Sequence, residues 1–379
     1  MDSKVKGLAI LGSTGSVGTQ TLDVIRSFPG RFSMVGLAAG YNVELLAQQA
    51  EEFHPKLVSC QEPEKILATG LPPGCQVVSP EEVASHPHVD MVVAASVGKA
   101  GLKPIMAALQ AGKAVVLANK EPIVMAGEMV MAEARRNGAP ILPVDSEPSA
   151  IWQCLRGEDK EVYRVIITAS GGAFRRRTLE ELVTVTPEEA LKHPTWSMGR
   201  KITVDSATLM NKGFEVIESR WLFDLPWEKI DVVIHPQSIM HAMVEFTDGS
   251  VKAQLSSPDM RMPIQHALFY PQRVKNCALP HFNPVETGAL TFEALDEARY
   301  PCFRLALDAG KKGATYPTVL SAADEVAVEM FLGGAIGFTA IPNLVEWVLS
   351  KHDPISSPSM YDILEVDDWA RTMARAWSG

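Results

Sequence analysis

The sequence is poor in cysteine, and the few cysteines follow no regular spacing. Cys60, Cys75, Cys154, Cys277 and Cys302 are an odd number and contain no C-x-x-C pair. Such a set predicts neither a disulfide framework nor the ligand spacing of a structural zinc site. We therefore expect a chain that works in a reducing compartment, the cytoplasm.

Long hydrophobic runs are also missing. A Lys or Glu interrupts every apolar stretch before the roughly 18 residues that a membrane span needs. The start, "MDSKVKGLAILGSTG", shows no apolar core of a signal peptide and leads directly into a predicted strand. We expect neither membrane insertion nor secretion.

Basic charge is scarce as well. Lys and Arg number 35 against 45 Asp and Glu, which gives a formal net charge of −10. This balance argues against a nucleic-acid-binding surface, and the Arg175-Arg176-Arg177 triplet is best interpreted as a solvated loop. With 46% hydrophobic and 21% charged residues in 379, the composition is that of a globular protein of two or three domains.

The first 145 residues alternate short apolar strands with amphipathic helices. "VKGLAIL", "FSMVGLAA", "VDMVVAAS", "KAVVLA" and "PILPVDS" are separated by helical segments such as "NVELLAQQAEEF". All-apolar strands between helices predict a parallel sheet covered on both faces. Residues 1–145 are therefore predicted to form a doubly wound, Rossmann-type α/β domain.

The pattern changes in the remaining chain. Residues 146–275 predict an α+β domain, with an antiparallel hairpin around Asp248-Gly249 in "HAMVEFTDGSVKAQLS". Residues 276–297 contain two prolines and little periodicity, which predicts a connecting arm. Residues 298–379 predict a small C-terminal helical domain.

A glycine-rich turn follows the first predicted strand. "ILGSTGSVG" places Gly12, Gly15 and Gly18 between strand and helix, where the backbone can approach a pyrophosphate bound at the helix N-terminus. The alternative is a tight turn without a ligand. At the first turn of a doubly wound sheet, we favour a dinucleotide site.

The end of the second predicted strand bears on which dinucleotide binds. NAD enzymes usually have an acid there for the ribose hydroxyl, whereas this chain has Gly40-Tyr41-Asn42. The missing acid favours NADP, although no Arg or Lys takes its place. Asn42 is equally well interpreted as an N-cap of the next helix.

Two acids flank a serine in "LPVDSEPSA". In an extended chain, Asp145 and Glu147 would point to the same side. Two adjacent carboxylates repel each other unless one is protonated or a cation lies between them.

A third carboxylate occurs in "TVDSATLMNKGFEVIESRWLF", which predicts one helix over 203–223. Lys212 and Glu215 share a face of this helix at i, i+3. A surface salt bridge is the simpler explanation. However, Gly213 is costly within a helix, and apolar neighbours surround Glu215, so that we expect this carboxylate to be buried with a partner.

Two further segments suggest an anion site and a lid. Ser170 precedes a Gly-Gly turn in "IITASGGAF", whose N–H groups could contact an anion. "KHPTWSMGRKI" (192–202) combines His, Trp and Met without periodicity, which is typical of a segment that closes over a ligand. Ordinary packing of Trp196 on a neighbouring domain is the alternative.

Together these segments carry a resemblance to a known family. "GSTGSVG", "ANKE", "VDSE", "ASGG", "HPTWSMGRKITVDSATLMNKGFEVIE", "HPQSIMHAMVEF", "SPDMRMPI", "GALTFEA" and "SAADEVAVEMFL" occur in the order found in 1-deoxy-D-xylulose 5-phosphate reductoisomerases. The resemblance covers essentially the whole chain, and the long central block is far more specific than a glycine motif.

The resemblance implies a cation site and a substrate site. It implies that Asp145, Glu147 and Glu215 bind one Mg²⁺ or Mn²⁺, which suits three hard oxygen donors. It implies that the phosphate of the substrate binds Ser170, Ser206, Asn211 and Lys212, and that its hydroxyls contact Ser146 and Lys120. It also implies that His193 and Trp196 belong to a lid and that Ser238 and His241 lie beside the pocket. Lys120 and the three acids are the implied catalytic residues.

It also implies NADPH as the cofactor and a homodimer as the assembly. The implied cofactor residues are Gly12, Ser13, Thr14, Gly15, Ser16, Val17, Gly40, Asn42, Asn119, Glu121, Met198, Gly199 and Met260, with the two methionines near the nicotinamide. The implied reaction breaks and re-forms a carbon–carbon bond of the sugar phosphate and reduces the branched aldehyde with NADPH. Its product, 2-C-methyl-D-erythritol 4-phosphate, supplies isoprenoid precursors.

Three positions depart from the family pattern. Pro148 stands where D-S-E-H has its His, Pro122 follows Glu121 in "ANKE", and Asp324 replaces the Asn of "SAAN". None is an implied metal ligand or phosphate donor, so the functional expectation stands.

Two other functions explain the sequence less well. A different two-domain NADP oxidoreductase, such as a semialdehyde or homoserine dehydrogenase, gives no reason for the block 193–215. A catalytically silent nucleotide sensor would be expected to have lost one of the three acids or Lys212, and all four are present.

Overall fold

The computed structural model describes residues 5–158 and 161–379. Residues 1–4, which belong to the N-terminal stretch considered above, and residues 159–160 lie outside the described residues. The chain divides into two compact units. As far as they are described, unit 1 comprises Met1–Pro122, Met129–Ser149 and Asp259–Pro280, and unit 2 comprises Ile123–Glu128, Ala150–Pro258 and His281–Gly379.

Unit 1 contains a seven-stranded parallel sheet in the order β4-β3-β2-β1-β5-β6-β7. Its central strands are continuous runs of buried apolar residues, as a sheet covered on both faces requires. The strands are β1 (Lys6–Leu11), β2 (Phe32–Ala38), β3 (Leu57–Ser59), β4 (Gln76–Val77), β5 (Met91–Ala94), β6 (Ala114–Leu117) and β7 (Ile141–Pro143). This confirms the doubly wound α/β prediction.

The strand order reverses at β1, which pairs with β2 on one side and β5 on the other. Open α/β sheets bind ligands outside the carboxyl ends of the strands at such a switch point. The helices beside this sheet are α1 (Ser16–Arg26), α2 (Val43–Phe53), α3 (Pro63–Ala68), α4 (Pro80–Ser85), α5 (Leu102–Gln110) and α6 (Glu121–Asn137), followed by α7 (Ser146–Leu155), which begins in unit 1.

Unit 2 contains a five-stranded mixed sheet in the order β11-β10-β8-β9-β12. Strands β8 and β9 are parallel, whereas the other neighbours are antiparallel. Gly249 has φ 84° in the turn between β10 and β11, which confirms the predicted Asp-Gly hairpin. The strands are β8 (Val162–Ala169), β9 (Ile230–Ile234), β10 (Met240–Phe246), β11 (Val251–Leu255) and β12 (Glu293–Ala294).

Helices supply most of the remaining core of unit 2. One buried apolar cluster joins α9, α10 and the C-terminal helices through Phe214, Cys302, Val326, Phe331 and Val345. The helices after α7 are α8 (Pro187–Ala190), α9 (Arg200–Thr208), α10 (Met210–Leu222), α11 (Arg261–Phe269, in unit 1), α12 (Pro284–Thr287), α13 (Pro301–Lys312), α14 (Tyr316–Leu332), α15 (Ala340–Ser350) and α16 (Met360–Arg375).

The predicted single helix over 203–223 is wrong. Leu209 adopts φ 58° and ψ 15°, so α9 ends at Thr208 and α10 begins at Met210. Leu209 is only 2% exposed and packs in the apolar cluster beneath the second sheet. Its burial favours a left-handed conformation that leucine otherwise avoids.

Segment 259–280, which follows the hairpin, packs within unit 1. Phe269 of α11 contacts Phe28 and Phe32 with ring centroids 4.6 Å and 5.1 Å away. The predicted arm 276–297 contains α12 and the edge strand β12. Within residues 5–158 and 161–379, no helix combines the length and apolar character of a membrane span.

Candidate functional site

The glycine turn of unit 1 lies between β1 and α1, as predicted. Gly12 has φ 84°, and a Cβ there would lie 2.2 Å from the Ala95 carbonyl oxygen. A Cβ on Gly18 would lie 2.2 Å from the Gly12 oxygen. Both glycines are therefore required by the close packing of strand, turn and helix.

The first turn of α1 is open to a ligand at its N-terminus. Gly15 is the N-cap residue, and no described side chain caps the helix there. Its first N–H groups and the positive end of the helix dipole suit a phosphate. Around this end lie the other predicted turn residues, Ser13, Thr14, Ser16 and Val17, of which Ser13 is fully buried.

The predicted ribose-side residues follow β2. Gly40, Tyr41 and Asn42 are exposed, and Tyr41 has 75% of its surface accessible. The Asn42 side chain accepts a hydrogen bond from the Leu45 N–H at 3.2 Å, so the N-cap interpretation of Asn42 is confirmed. The Asn42 side chain can cap the helix and also contact a ribose.

Asn119, Lys120 and Glu121 lie between β6 and α6, at the carboxyl edge of the parallel sheet. The Asn119 amide donates to Glu121 Oε2 at 2.6 Å, and Ser96 Oγ donates to Asn119 Oδ1 at 3.3 Å. Lys120 is 6% exposed. In the same unit, Met260 is the N-cap residue of α11 and is half-buried.

Asp145 and Glu147 are close in space, but the extended-chain argument for this was wrong. Helix α7 begins at Ser146, and the Asp145 carbonyl accepts the Ser149 N–H at 2.9 Å. One carboxylate oxygen of each acid lies within 4.8 Å of the other. A strand end followed at once by a helix start brings the two acids together.

Each of these acids has a donor nearby. Lys120 forms an ion pair with Asp145, and Ser146 Oγ donates to Glu147 Oε2 at 2.5 Å. Their repulsion is therefore offset within unit 1 by a lysine ammonium group and a hydroxyl. Both donors are residues predicted to contact substrate.

Glu215 is a buried carboxylate of unit 2, as predicted. It is 1% exposed on α10, where Asn211 Nδ2 donates to its Oε1 at 2.5 Å and Lys212 Nζ donates to its Oε2. Gly213 between them packs on α13, since a Cβ there would lie 2.3 Å from that of Ala306. Close helix packing explains the glycine that the sequence pattern left unexplained.

Ser170, His193 and Ser206 form one group in unit 2. His193 Nε2 lies 2.9 Å from Ser170 Oγ and 3.1 Å from Ser206 Oγ. Ser170 Oγ also accepts the Gly172 N–H at 3.1 Å, where Gly171 and Gly172 have φ of 84° and 70°. Three side chains that can donate hydrogen bonds thus converge, as an anion site requires.

The His193 ring has a defined proton. Its Nδ1 accepts the backbone N–H groups of Thr195 at 3.2 Å and Trp196 at 2.9 Å, so the proton of the neutral ring is on Nε2. Burial lowers the pKa of His193 to about 4. At neutral pH, an uncharged imidazole donates from Nε2 toward the two serine hydroxyls.

The segment predicted to be a lid has no regular structure between His193 and Gly199, and α9 begins at Arg200. Trp196 is half-buried, with its ring centroid 6.1 Å from that of His241. Met198 is half-buried and Gly199 is the exposed N-cap of α9. The structure thus places Trp196 beside His241, and its closure over substrate stays a prediction.

Thr195 was missed by the sequence argument. Its Oγ1 lies 3.1 Å from Ser238 Oγ, and its N–H donates to His193. A threonine beside a tryptophan carries no distinctive sequence signal, because its role depends on a serine 43 positions away. Ser238 was expected beside the pocket, and it holds this segment.

Unit 2 also has a cavity of about 230 Å³, bordered by Phe174, Leu182, Tyr300, Cys302 and Phe338. Its lining includes none of the residues predicted to bind substrate. We therefore do not assign this cavity to the sugar phosphate.

Comparisons with known proteins identify relatives along nearly the whole chain. Three family profiles match: 1-deoxy-D-xylulose 5-phosphate reductoisomerase over residues 8–127, its C-terminal domain over 141–223, and the DXP reductoisomerase C-terminal domain over 255–373. The curated 1-deoxy-D-xylulose 5-phosphate reductoisomerase of Pelotomaculum thermopropionicum is 52% identical over 378 residues, 97% of each chain. That of Geobacillus kaustophilus is 51% identical over 379 residues, covering 98% of this chain and 99% of its own.

Solved structures agree in fold. A DOX-P reductoisomerase in complex with NADPH, fosmidomycin and magnesium superimposes with a TM-score of 0.91 at 39% identity, covering 98% of each chain. The Zymomonas mobilis 1-deoxy-D-xylulose 5-phosphate reductoisomerase in complex with NADPH also gives 0.91, at 40% identity, and covers 98% of this chain and 99% of its own. The chain belongs to the 1-deoxy-D-xylulose 5-phosphate reductoisomerase family.

Proposed function

We propose that this protein rearranges and reduces 1-deoxy-D-xylulose 5-phosphate to 2-C-methyl-D-erythritol 4-phosphate, using NADPH and one divalent cation. The observation that carries the proposal is the convergence of Ser170, His193 and Ser206 in a chain about half identical to reductoisomerases over its length. A doubly wound domain alone serves many reactions, whereas a phosphate-binding group in a second unit narrows the choice.

NADPH is the proposed cofactor. A related structure contains NADPH, and the turn after β1 has the tight glycine packing and the open helix N-terminus that a pyrophosphate needs. The proposed contacts are Gly12, Ser13, Thr14, Gly15, Ser16, Val17, Gly40, Asn42, Asn119 and Glu121, with Met198, Gly199 and Met260 toward the nicotinamide. The bound cofactor supplies the hydride that reduces the aldehyde.

Asp145, Glu147 and Glu215 are the proposed ligands of one Mg²⁺ or Mn²⁺. A donor set made only of carboxylate oxygens fits these hard cations better than it fits zinc or copper, which favour sites containing imidazole or thiolate. Related structures contain magnesium. The bound cation supplies stabilisation of the negative charge that develops on substrate oxygens during the rearrangement.

The phosphate of the substrate is proposed to bind Ser170, Ser206, Asn211 and Lys212. Neutral His193 presents an N–H and adds no charge, and the lysine ammonium compensates the charge of the phosphate. Ser146 and Lys120 are proposed to contact the sugar hydroxyls. Trp196 is proposed to exclude water from the carbon chain when the lid closes, which protects the reactive intermediate.

Cytoplasmic location and a homodimer are further proposals. All five cysteines are free, which suits a reducing compartment. A sugar phosphate and NADPH are charged and cannot cross a bilayer unaided. An enzyme that uses both is therefore expected inside the cell. The homodimer rests on the family resemblance alone.

The test is to mix the purified protein with the substrate, NADPH and Mn²⁺ and to follow NADPH absorbance. We expect oxidation of NADPH that requires both the sugar phosphate and the cation, and that stops when a chelator is added. Oxidation with aspartate semialdehyde in place of the sugar phosphate, or none with either, would overturn the proposal.

A further inference from the structure

A buried glutamine of unit 1 contacts the glycine turn. Gln49 lies on α2 and is 3% exposed. Its Nε2 donates to the carbonyl oxygen of Ser13 at 3.0 Å, and Ser13, between β1 and α1, is fully buried as well. A side chain 36 positions away in the sequence thus holds the backbone of the turn that we assign to the pyrophosphate.

The position of Gln49 on α2 is one where an apolar residue is expected. The buried face of this helix otherwise consists of Val43, Leu46 and Ala50. Gln49 makes one hydrogen bond through Nε2, whereas its Oε1 is buried with no hydrogen-bond partner among the described residues. Burying an amide whose oxygen is unsatisfied costs free energy, and a methionine would fill the same place without that cost. Stability alone therefore does not explain the glutamine.

The turn itself contains a second buried polar atom of this kind. Ser13 Oγ has no hydrogen-bond partner in the part of the chain that the structure describes. The backbone N–H groups of Gly12 and Ser13 both donate to the Ala38 carbonyl oxygen, each at 2.8 Å. Proteins satisfy nearly all buried polar atoms, and the exceptions concentrate at functional sites. Both unsatisfied atoms belong to the two residues that the Gln49–Ser13 hydrogen bond joins.

This hydrogen bond determines the direction of the next backbone N–H. The Ser13 carbonyl and the Thr14 N–H belong to one trans peptide group, in which the C=O and the N–H point in opposite directions. Because the oxygen is held by Gln49, the Thr14 N–H points away from that side chain. It donates to no described residue, and the two residues that follow, Gly15 and Ser16, are exposed.

We propose that Gln49 is a positioning residue for the dinucleotide, because it holds the Ser13 carbonyl and so directs the Thr14 N–H toward the pyrophosphate. The inference rests on the proposed function, which takes NADPH as the ligand of this turn. Gln49 acts through the backbone of the turn. An N–H that is already oriented adds a hydrogen bond to a charged oxygen without the cost of ordering the turn on binding.

The role is tested by titrating the purified protein with NADPH and following fluorescence. Gln49→Met keeps the length of the side chain and removes the donor. We expect its Kd for NADPH to rise about tenfold, the effect of one lost hydrogen bond. Gln48→Met changes the exposed neighbour on the same helix and should keep the wild-type affinity. An unchanged Kd for Gln49→Met would overturn the proposal.

Two fragments of the cofactor locate the loss. The compound 2′-phospho-ADP-ribose contains the pyrophosphate, whereas 2′-AMP contains only the adenosine and its 2′-phosphate. By calorimetry, Gln49→Met should bind the first about tenfold more weakly than the wild type does and the second equally well. Equal weakening of both fragments would indicate a general disturbance of the fold and would contradict the role of Gln49.

The melting temperature separates a positioning role from a purely structural one. Gln49→Met loses one hydrogen bond but also removes the unsatisfied Oε1, so we expect a melting temperature no lower than that of the wild type. A lower melting temperature with wild-type NADPH affinity would show that Gln49 only stabilises the fold. If Gln49→Met does not fold, Gln49→Asn, whose amide is one methylene too short to reach Ser13, decides by the same titration.

These titrations need no turnover of the sugar phosphate. A wild-type protein that binds NADPH without converting the substrate would overturn the proposed reaction and leave the test of Gln49 intact. A wild-type protein that does not bind NADPH would overturn both.

Discussion

The Glu215 side chain is almost fully buried, and both of its carboxylate oxygens are bound by side chains of its own helix. Asn211 and Lys212 reach it from one turn away. A buried carboxylate is tolerated only with such partners, because an unpaired charge in the interior is strongly destabilising. Asn211 and Lys212 are also proposed phosphate ligands, so Glu215 links the cation and phosphate parts of the proposed site.

Replacing Glu215 by Gln should abolish turnover while NADPH binding persists. The change removes one of three proposed ligands, and changes to residues around metal ligands already cost about 10–100-fold. The proposed cofactor turn belongs to the other unit. The measurements are kcat at saturating Mn²⁺ and NADPH affinity by fluorescence. Glu228→Gln, an exposed acid of the same unit, is the control, and near-normal kcat for Glu215→Gln would contradict the ligand set.

His193 should make the protein less stable in mild acid. Burial lowers its pKa from 6.5 to about 4, so the folded state binds the proton less well than the unfolded state does. Its contribution is therefore fully present above pH 6.5 and is lost as the pH falls toward about 4.

The measurement is the melting temperature of wild type and His193→Gln between these two pH values. Gln keeps an N–H donor near the serines and does not titrate, so the wild-type melting temperature should fall more steeply. His281→Gln, an exposed histidine of the same unit, should follow the wild-type curve. Parallel curves for wild type and His193→Gln would exclude the buried neutral imidazole.

The sequence predicted some of these residue contacts and not others. Lys212 and Glu215 were paired correctly from their i, i+3 spacing, because helix geometry alone determines that contact. The Nε2 proton of His193 depends on backbone N–H groups of Thr195 and Trp196, which no side-chain pattern encodes. The pattern of residues 192–202 suggested a lid, and the family resemblance pointed to His193 itself as a substrate residue.

Among the elements, the break between α9 and α10 is the feature that propensity could not predict. "TLMN" contains neither Gly nor Pro, so local rules continue the helix through Leu209. The break arises from burial of the Leu209 side chain, a tertiary effect. It places Ser206 in the last turn of one helix and Asn211 and Lys212 in the first turn of the next.

The 193–199 segment is held at its beginning in this structure, where His193 contacts Ser170 and Ser206. Thr195 contacts Ser238, and Trp196 lies beside His241. Between these contacts and the start of α9 at Arg200, the segment has no regular secondary structure. Because residues 193–200 show no helical or strand periodicity, we predict that they are mobile when substrate is absent.

Trp196→Ala should raise KM and lower kcat together, because closure both binds substrate and excludes water. Trp196 fluorescence should also change when a metal-chelating phosphonate analogue binds. Melting temperature and kinetics must be measured on the same preparation. A stability loss of about 3–5 kcal/mol with intact kcat/KM would show instead that Trp196 is a fixed core residue.

At the scale of the whole molecule, the layers of sheet and helices could be predicted from the sequence. Which segments belong to which of the two units was harder to predict. Alternating apolar strands and helices determine a parallel sheet through local rules, and that sheet is present. The packing of segment 259–280 within unit 1 depends on Phe269 meeting Phe28 and Phe32, more than 230 residues earlier in the chain. Such a contact leaves no periodic signal in the sequence.

The choice of cofactor should follow from the surface after β2. Gly40, Tyr41 and Asn42 provide no carboxylate to bind a ribose hydroxyl or to repel a 2′-phosphate. NADPH should therefore give a higher kcat/KM than NADH, and Tyr41→Asp should shift the preference toward NADH. Phe53→Tyr, a change at the far end of α2, is a suitable control. Equal kcat/KM for the two cofactors in the wild-type protein would refute the inference.

The central claim is that one protein carries out both a carbon-skeleton rearrangement and a reduction. The most direct measurement is the NMR spectrum of the product formed from ¹³C-labelled 1-deoxy-D-xylulose 5-phosphate with NADPH and Mn²⁺. The account predicts a branched methyl-tetritol phosphate, formed by the wild-type protein and not by Glu215→Gln. An unbranched, merely reduced sugar phosphate, or unchanged substrate with the wild-type protein, would contradict it.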